Sequence, residues 1–209
     1  MGEIYRKPLR EQVVPDREVR CVFYEKAGVE NTERTFQLAR ENAQELGIRH
    51  IVIASSSGET GAHAAEFFQG LQVVVVTPPV CDNMVEMQPE YRRRIELAGA
   101  HILTCTYALG GVSRAVRRKL GTYQLEEIIA FVLRDFSEGI KVACEITMMA
   151  ADAGLVPVGE EIIAIAGTTK GADTAAVILS ANAQDFFDLR VLEILCKPRV
   201  GGRYQSANT

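Results

Sequence analysis

The sequence predicts an α/β domain in which helices cover both faces of a mostly parallel sheet, a three-layer α/β/α arrangement. Short runs rich in Val and Ile, such as residues 50–54 and 72–76, alternate with longer helix-forming segments. Such alternation is typical of parallel strands joined by crossover helices. Residues 138–153 are apolar on nearly all sides, which predicts a central buried helix.

The individual elements follow from the same patterns. Short apolar or β-branched runs bounded by polar residues predict strands, and longer segments of helix-forming residues predict helices. The predicted strands are 22–24, 50–54, 72–76, 101–104, 161–166, 174–179 and 189–196, and the predicted helices are 31–46, 61–68, 89–97, 112–120, 124–135 and 138–153. The short connection between the strands at 161–166 and 174–179 predicts an antiparallel hairpin at an edge of the sheet.

Length and composition exclude several classes of protein. The chain has 209 residues, of which 47% are hydrophobic, and this is enough for one sizeable core. The net charge is -4 and no long basic run occurs, so a nucleic-acid partner is not expected. No run approaches the roughly 20 apolar residues of a membrane span, and the polar N-terminus does not resemble a signal peptide. We therefore expect a cytoplasmic protein that binds neither nucleic acid nor a membrane.

The chain divides into a charged N-terminal arm at residues 1–19, one α/β domain at 20–198 and a polar tail at 199–209. Five cysteines are scattered without CxxC spacing, which indicates reduced thiols rather than disulfides or structural zinc. Cys81 and Cys105 lie near strand ends, but no histidine is placed by the sequence to activate them. With only three histidines in the chain, no metal site is expected.

Two polar loops are candidates for a binding site. In open parallel sheets, ligands bind beyond the carboxyl ends of the strands, where glycines admit the ligand and backbone N–H groups are free. The loops SSSGETG and GTTKGADT follow two of the predicted strands, and TPP follows a third. We expect them to bind a phosphate group, with Lys170 as a point charge. The candidate residues are Ser55, Ser56, Ser57, Gly58, Thr60, Gly61, Thr77, Gly167, Thr168, Thr169, Lys170, Gly171, Asp173 and Thr174.

Each loop also has a purely structural interpretation. The serines could cap a tight turn between strand and helix, and the glycines of the second loop could serve only a hairpin connection. One loop alone is too weak a site, because a helix dipole contributes about 0.3–1 kcal/mol and micromolar affinity needs about 8 kcal/mol. Neither GxxxxGK[ST] nor GxGxxG is present, which argues against hydrolysis of nucleoside triphosphates.

Long segments resemble the C-terminal domain of pyruvate kinase. IVIASSSGETGAHAAEFFQGLQVVVVTPP and EIIAIAGTTKGADTAAVIL are similar to its phosphate-binding turn and its closing hairpin. Residues 20–198, with ENTERT, GGVSRA, CEITMMAADAG and GADTA, more closely resemble small stand-alone microbial proteins of the pyruvate kinase alpha/beta domain-like class. In pyruvate kinase this domain binds a phosphorylated sugar effector and performs no catalysis.

The resemblance implies that Ser55–Ser57, Gly58 and Thr60 hold a phosphate while residues 167–174 close over it. Glu59 departs from the more basic loop of the enzyme and would repel a second phosphate, which argues against fructose bisphosphate. Flavin mononucleotide (FMN) is a candidate cofactor on the same grounds. Nothing in the sequence resembles the catalytic barrel, so transfer of phosphate from phosphoenolpyruvate is not implied. By analogy with the family, we expect a homo-oligomer.

Three functions remain open at this point. The first is a binding module for a phosphorylated metabolite or cofactor, with regulation as one use. The second is an enzyme that acts on that ligand, either flavin-dependent or a phosphatase, with Asp173 or the pair Glu145 and Asp152 as acid or base. Against this, Glu145 could pair with a neighbouring cation, Asp152 could mark the solvent end of its helix, and Asp173 could be a turn residue. The third is an oligomeric scaffold without a ligand.

Overall fold

A computed structural model describes residues 18–80 and 86–200. Its strands form one sheet, and its helices match the predicted ones to within a few residues at their ends. The strands are β1 (Val22–Tyr24), β2 (His50–Ala54), β3 (Gln72–Thr77), β4 (His101–Thr104), β5 (Glu161–Ala166), β6 (Thr174–Leu179) and β7 (Arg190–Pro198). The α-helices are α1 (Thr32–Leu46), α2 (Glu59–Phe67), α3 (Pro89–Leu97), α4 (Val112–Leu120), α5 (Leu125–Arg134) and α6 (Glu138–Asp152).

The sheet has the strand order β1-β7-β6-β5-β2-β3-β4. Among these strands only β6 runs against its neighbours, since β1 pairs parallel with β7 and the strands from β5 to β4 are parallel to one another. The antiparallel β5–β6 hairpin is confirmed, but its predicted place at the sheet edge is wrong. β7 and β1 continue the sheet beyond β6, because the nine-residue β7 pairs with β6 on one side and β1 on the other.

Helices pack on both faces of the sheet, as the three-layer prediction requires. Alternate residues of β2 separate the two cores, because neighbouring side chains of a strand point to opposite faces. Ile51 and Ile53 pack with α1 and α2, whereas Val52 packs with α6. Most of α6 is buried, which confirms the prediction of a central helix.

The chain reverses its direction of travel across the sheet between β2 and β5. From β2 it proceeds to β3 and β4 by way of α2 and α3 on one face, and it returns to β5 by way of α6 on the other face. β5 then pairs with β2 on the side away from β3, so that Ile53 lies beside Ile165. Such a switch point opens a crevice beyond the carboxyl ends of the two central strands. The two polar loops begin at these strand ends.

Two short 3-10 helices, Val29–Asn31 and Ala183–Asp188, were not predicted. The N-terminal arm and the polar tail fall almost entirely outside the described residues, as does Cys81. Within residues 18–80 and 86–200, no helix is long and apolar enough to cross a bilayer.

Candidate functional site

A cleft of about 810 Å³ lies at the switch point and is lined by both polar loops. The turn at residues 55–60 forms one side, the loop at 167–171 forms another, and α6 provides the floor. This volume is typical of pockets for small molecules and cofactors. The sequence-based expectation that both loops meet at one edge of the sheet is therefore met by the geometry.

The turn at residues 55–60, which we call the serine turn, has several backbone N–H groups without an acceptor among the described residues. Ser55 is buried and its Oγ accepts the N–H of Gly61 at 3.0 Å, so this serine holds the turn against the start of α2. The N-cap position is Gly58, which has a positive φ of 94° and no side chain to cap the helix. In the described part of the chain, the amides of Ser56, Ser57, Gly58 and Thr60 find no acceptor. These donors, at a helix N-terminus, suit an anion.

In the loop at residues 167–174, which we call the glycine loop, the carboxylate of Asp173 accepts hydrogen bonds from other groups of the loop. Asp173 is fully buried, and its Oδ2 accepts the N–H groups of Gly28 and Thr168 at 3.2 and 3.1 Å. Its Oδ1 accepts the hydroxyl of Thr174 at 2.9 Å. The nearby amide of Ala172 donates to Thr32 Oγ1 at 3.0 Å, which ties the loop to the start of α1. The carboxylate is an internal anion for this loop rather than a group in the cleft.

The floor of the cleft contains a buried ion pair on α6. Lys141 and Glu145 lie one helical turn apart and are directly hydrogen-bonded. The second carboxylate oxygen of Glu145 accepts the N–H of Leu109 at 3.0 Å, and the ammonium group of Lys141 lies 5.7 Å from the ring centroid of Tyr107. The interpretation of Glu145 as the partner of a neighbouring cation is confirmed. Asp152 marks the exposed end of α6 and accepts from Asn182, so the two carboxylates form no catalytic pair.

Charges of both signs line the cleft. Arg134 pairs with Glu138 at 2.7 Å, and Arg114 stacks over the ring of Tyr107 at 5.4 Å. Lys170 is exposed on the glycine loop. The charged lining consists of four basic residues (Arg114, Arg134, Lys141 and Lys170) and four acidic residues (Glu59, Glu90, Glu138 and Glu145). The cleft as a whole is therefore formally neutral.

The structure brings most of the candidate residues together. Ser55, Ser56, Ser57, Thr60, Thr77, Gly167, Thr169, Lys170 and Gly171 line the cleft. Gly58, Gly61, Thr168, Asp173 and Thr174 do not. Gly58 and Gly61 shape the turn instead, because a Cβ on Gly61 would lie only 2.4 Å from Val75.

Three predicted ligand-binding residues lie outside the cleft lining, where hydrogen bonds or burial engage them instead: Thr168, Asp173 and Thr174. Asp173 and Thr174 are fully buried behind the loop, where they bond to each other and Asp173 also bonds to backbone amides. Thr168 gives its amide to Asp173, and its Oγ1 is buried without a hydrogen-bond partner among the described residues. Thr77 lines the cleft, but its hydroxyl is engaged with Thr104 at 2.7 Å. Asp173 is therefore not available as an acid or base toward a ligand in the cleft.

Sequence reasoning did not select several residues of the lining, and four of them come from one long segment of the chain. The segment between β4 and the middle of α6 contributes Tyr107, Arg134, Glu138 and Lys141 to the lining. The sequence of this segment predicts helices and contains no pattern that indicates a site. The pattern around Arg114 is likewise that of a solvated helix face. The available signal was Lys141 itself, a cation four residues before Glu145 on an otherwise apolar helix.

The described cysteines are free thiols, and Cys144 and Cys196 are buried. Burial raises the pKa of Cys144 to about 12 and also raises the pKa of Cys105, so neither is poised to form a thiolate at neutral pH. No group of three or more His, Cys, Asp or Glu in the described ranges is arranged to hold a metal ion.

The fold and the cleft define an open α/β domain with a cleft at its switch point. The model of the family described as pyruvate kinase, alpha/beta domain matches residues 33–178, which is more than half of the chain. The chain therefore belongs to the pyruvate kinase alpha/beta domain family.

The chain also matches a solved pyruvate kinase from Cryptosporidium parvum, with 14% identity and a TM-score of 0.40 over 76% of this chain and 24% of that one. The Cryptosporidium parvum pyruvate kinase in complex with ADP matches with 15% identity, a TM-score of 0.40, and 76% and 25% coverage. An NH3-dependent NAD synthetase from Campylobacter jejuni, in complex with nitrate, matches with 14% identity, a TM-score of 0.31, and 51% and 47% coverage. The chain spans about a quarter of each of these pyruvate kinases.

Proposed function

We propose that this protein binds a monophosphorylated small molecule, with the phosphate held by the serine turn and the rest of the ligand in the cleft. The observation that carries the proposal is the set of amides of Ser56, Ser57 and Thr60, three residues that line the cleft and whose amides have no acceptor among the described residues. The amide of Gly58, between them in the turn, also has no acceptor among these residues. They stand at the N-terminus of α2, where the helix dipole favours an anion.

Magnitudes support one phosphate as the anchor. Hydrogen bonds to a charged group contribute about 1.5–3 kcal/mol each, and a helix N-terminus contributes about 0.3–1 kcal/mol. Three or four amides with a lysine across the cleft therefore approach the roughly 8 kcal/mol of a micromolar ligand. Lys170, on the glycine loop that also lines the cleft, would supply the cation of such a site.

The balance of charges favours a single phosphate over two. Glu59 and Glu90 line the cleft close to the serine turn and form no ion pair within the described residues. A second phosphate would meet these carboxylates. A phosphosugar or an FMN-like cofactor suits the cleft better than a bisphosphate, and a regulatory role is the simplest use of such a site.

The test is isothermal titration calorimetry with matched pairs of ligands. Glucose phosphate is compared with glucose, and FMN with riboflavin, while inorganic phosphate serves as the minimal probe. We expect binding only of phosphorylated members, and weaker binding of fructose bisphosphate than of a monophosphate. Binding of glucose or riboflavin as tight as that of the phosphorylated partner would contradict the proposal, as would the absence of heat for every probe at millimolar concentration.

A pair of lysine variants locates the site. Lys170→Gln removes the cation opposite the serine turn, and we expect about tenfold weaker binding, which corresponds to about 1.4 kcal/mol. Lys119→Gln removes an exposed lysine of α4 that does not line the cleft, and it should bind like the wild type. Equal effects of the two substitutions would indicate nonspecific attraction.

An enzyme that acts on the bound ligand is the second candidate. The observation that favours it is the buried pair of Lys141 and Glu145 in the cleft floor, because ionisable groups buried in a cleft are candidates for acid–base chemistry. Turnover of a bound phosphomonoester, lost in Glu145→Gln while binding persists, would establish this function. A ligand-free scaffold would show neither binding nor turnover.

A further inference from the structure

The outer face of α5 is apolar and mostly uncovered by the described residues. Only its margin is contacted, where the guanidinium groups of Arg117 and Arg134 stack over the rings of Tyr123 and Phe131 at 5.2 and 5.6 Å. Leu125, Ile128 and Val132 are 68%, 50% and 56% exposed, and Phe136, just beyond the helix, is 56% exposed. The opposite side of α5 packs against α6 through Ala130, with Glu127 also buried. α5 therefore has two sides that avoid water, and only one of them has a partner.

The apolar side chains form one continuous surface. Successive residues of a helix are about 100° apart around its axis. On this spacing, with the helix extended by two residues, an arc of about 140° contains Leu125, Ile128, Phe131, Val132 and Phe136. The ring of Tyr123 extends the arc by an edge contact with Phe131 at 5.6 Å. We call these six residues the α5 face.

The area of the α5 face lies at the upper end of ordinary surface patches and provides most of one side of a standard interface. Six large side chains, each about half exposed on a full area of about 150–250 Å², present on the order of 500–700 Å². The largest apolar patch of an ordinary monomer is about 300–600 Å², and each partner of a standard stable interface contributes about 800 Å². Contacts around the α5 face would supply the remainder.

The spacing of the stripe identifies the occupant. Leu125, Ile128, Val132 and Phe136 are separated by three, four and four residues, so the stripe reads almost the same in both directions. Two copies of α5 packed antiparallel about a twofold axis at position 130 would place Ile128 opposite Val132. The same axis would bring Leu125 within one residue of the position opposite Phe136, and each contact would occur twice. Self-complementarity of this kind is what a twofold interface requires.

We infer that the α5 face binds a second copy of this chain, in a twofold dimer with the two α5 helices antiparallel. α4 and α5 also contribute Arg114 and Arg134 to the cleft lining. The dimer would therefore hold in place the helices that bear these two cleft guanidinium groups.

Sedimentation velocity on the full chain at micromolar concentration tests this inference. The wild type should be a dimer, whereas Ile128→Glu and Val132→Lys should each be monomeric, with the dimer dissociation constant raised at least a hundredfold. Leu97→Glu, which alters a 79% exposed side chain on α3, should remain dimeric. Circular dichroism and thermal unfolding establish that each variant is folded.

Mixing the two variants gives a test that does not depend on either single result. Antiparallel packing places position 128 of one chain opposite position 132 of the other. An equimolar mixture of Ile128→Glu and Val132→Lys would bring the introduced carboxylate beside the introduced ammonium group, and it should recover a heterodimer.

Three results would overturn the inference. The first is a monomeric wild type. If the full chain were monomeric and a chain without residues 1–17 dimeric, the occupant of the α5 face would be the N-terminal arm, and the inference would be equally wrong. The second is that the single variants remain dimeric, and the third is that their mixture stays monomeric.

Discussion

The two loops that line the cleft follow neighbouring parallel strands and have similar compositions, yet they use their backbone amides in opposite ways. In the glycine loop, the carboxylate of Asp173 accepts two amides and a hydroxyl. In the serine turn, no carboxylate occupies the equivalent position and four amides remain without an acceptor among the described residues. Of the two loops, the glycine loop contains a carboxylate that accepts its amides, and the serine turn does not.

The two loops therefore differ in how many of their backbone amides are hydrogen-bonded within the protein. Asp173 fixes the glycine loop to the segment before α1, and Thr32 adds a further bond to Ala172. In the serine turn, Ser55 Oγ accepts the amide of Gly61, and the carbonyl of Ser57 accepts the amide of Gln88 at 2.8 Å. These bonds leave the amides of Ser56, Ser57, Gly58 and Thr60 without an acceptor among the described residues. Substitutions in both loops test this contrast.

The largest effect is expected for Asp173→Ala. Two buried donors and the partly buried amide of Thr168 lose their acceptor, and an unsatisfied buried group costs about 1–3 kcal/mol. We expect the free energy of unfolding, measured by urea titration, to fall by about 3–6 kcal/mol. A loss below about 1 kcal/mol would show that the loop does not depend on its internal carboxylate. Asp173→Asn, which keeps one acceptor oxygen, should lose less.

Gly171→Ala should have the next largest effect. Gly171 has a φ of 72°, and an added Cβ would lie 2.5 Å from Thr32 Oγ1 and 2.6 Å from Val29 Cα. Gly47 offers a matched control, because its φ is 68° and nothing lies within 4 Å of an added Cβ. Both alanines strain the backbone, but only Gly171→Ala adds overpacking, which costs about 1–3 kcal/mol more. Equal losses of stability would contradict the close contact between the glycine loop and α1.

The serines should divide into one structural and two binding residues. Ser55→Ala removes the acceptor of Gly61 N–H and should cost about 1 kcal/mol of stability, as for a lost helix cap. Ser56→Ala and Ser57→Ala should change stability by less than about 0.5 kcal/mol, and any loss should fall on phosphate affinity. Thermal unfolding with and without phosphate distinguishes the two classes. If all three serines behaved alike, the turn would be a cap and nothing more.

Glu59→Gln should produce the smallest change, and in the opposite direction. Glu59 is exposed beside the turn, so removal of its charge weakens repulsion of an anion by a screened amount of about 0.3–1 kcal/mol. Calorimetry should show severalfold tighter binding of phosphate, with a larger gain for fructose bisphosphate. Glu45→Gln, on α1 and outside the cleft lining, is the control. Unchanged affinity in Glu59→Gln would place the anion elsewhere.

Much of this fold could be predicted from the sequence, because local patterns and the rules of parallel sheets act together. The β-branched run of β2 and the near-uniform apolarity of α6 each specify one element. The continuation of the sheet past β6 could not be predicted, because it depends on β7 pairing with both β6 and β1, a choice made by long-range contacts.

The candidate site was predictable in outline but not in detail. Loops at the carboxyl ends of adjacent strands are fixed by topology, and Ser56, Thr169 and Lys170 follow from that rule. The inward turn of Asp173 depends on the amide of Gly28, which is 145 residues away in the chain. Arg134 and Lys141 reach the cleft because α5 packs against α6 and α6 packs against β2 and β5 of the sheet, and no local pattern reports these contacts.

Anion binding at the serine turn is tested most directly by titrating isotope-labelled protein with inorganic phosphate and following the backbone amides by NMR. We predict that the amide resonances of Ser56, Ser57, Gly58 and Thr60 shift together and saturate. Those of Gly28 and Thr168, already bonded to Asp173, should move little. Shifts confined to other regions, or no saturable change at the serine turn at millimolar phosphate, would contradict anion binding there.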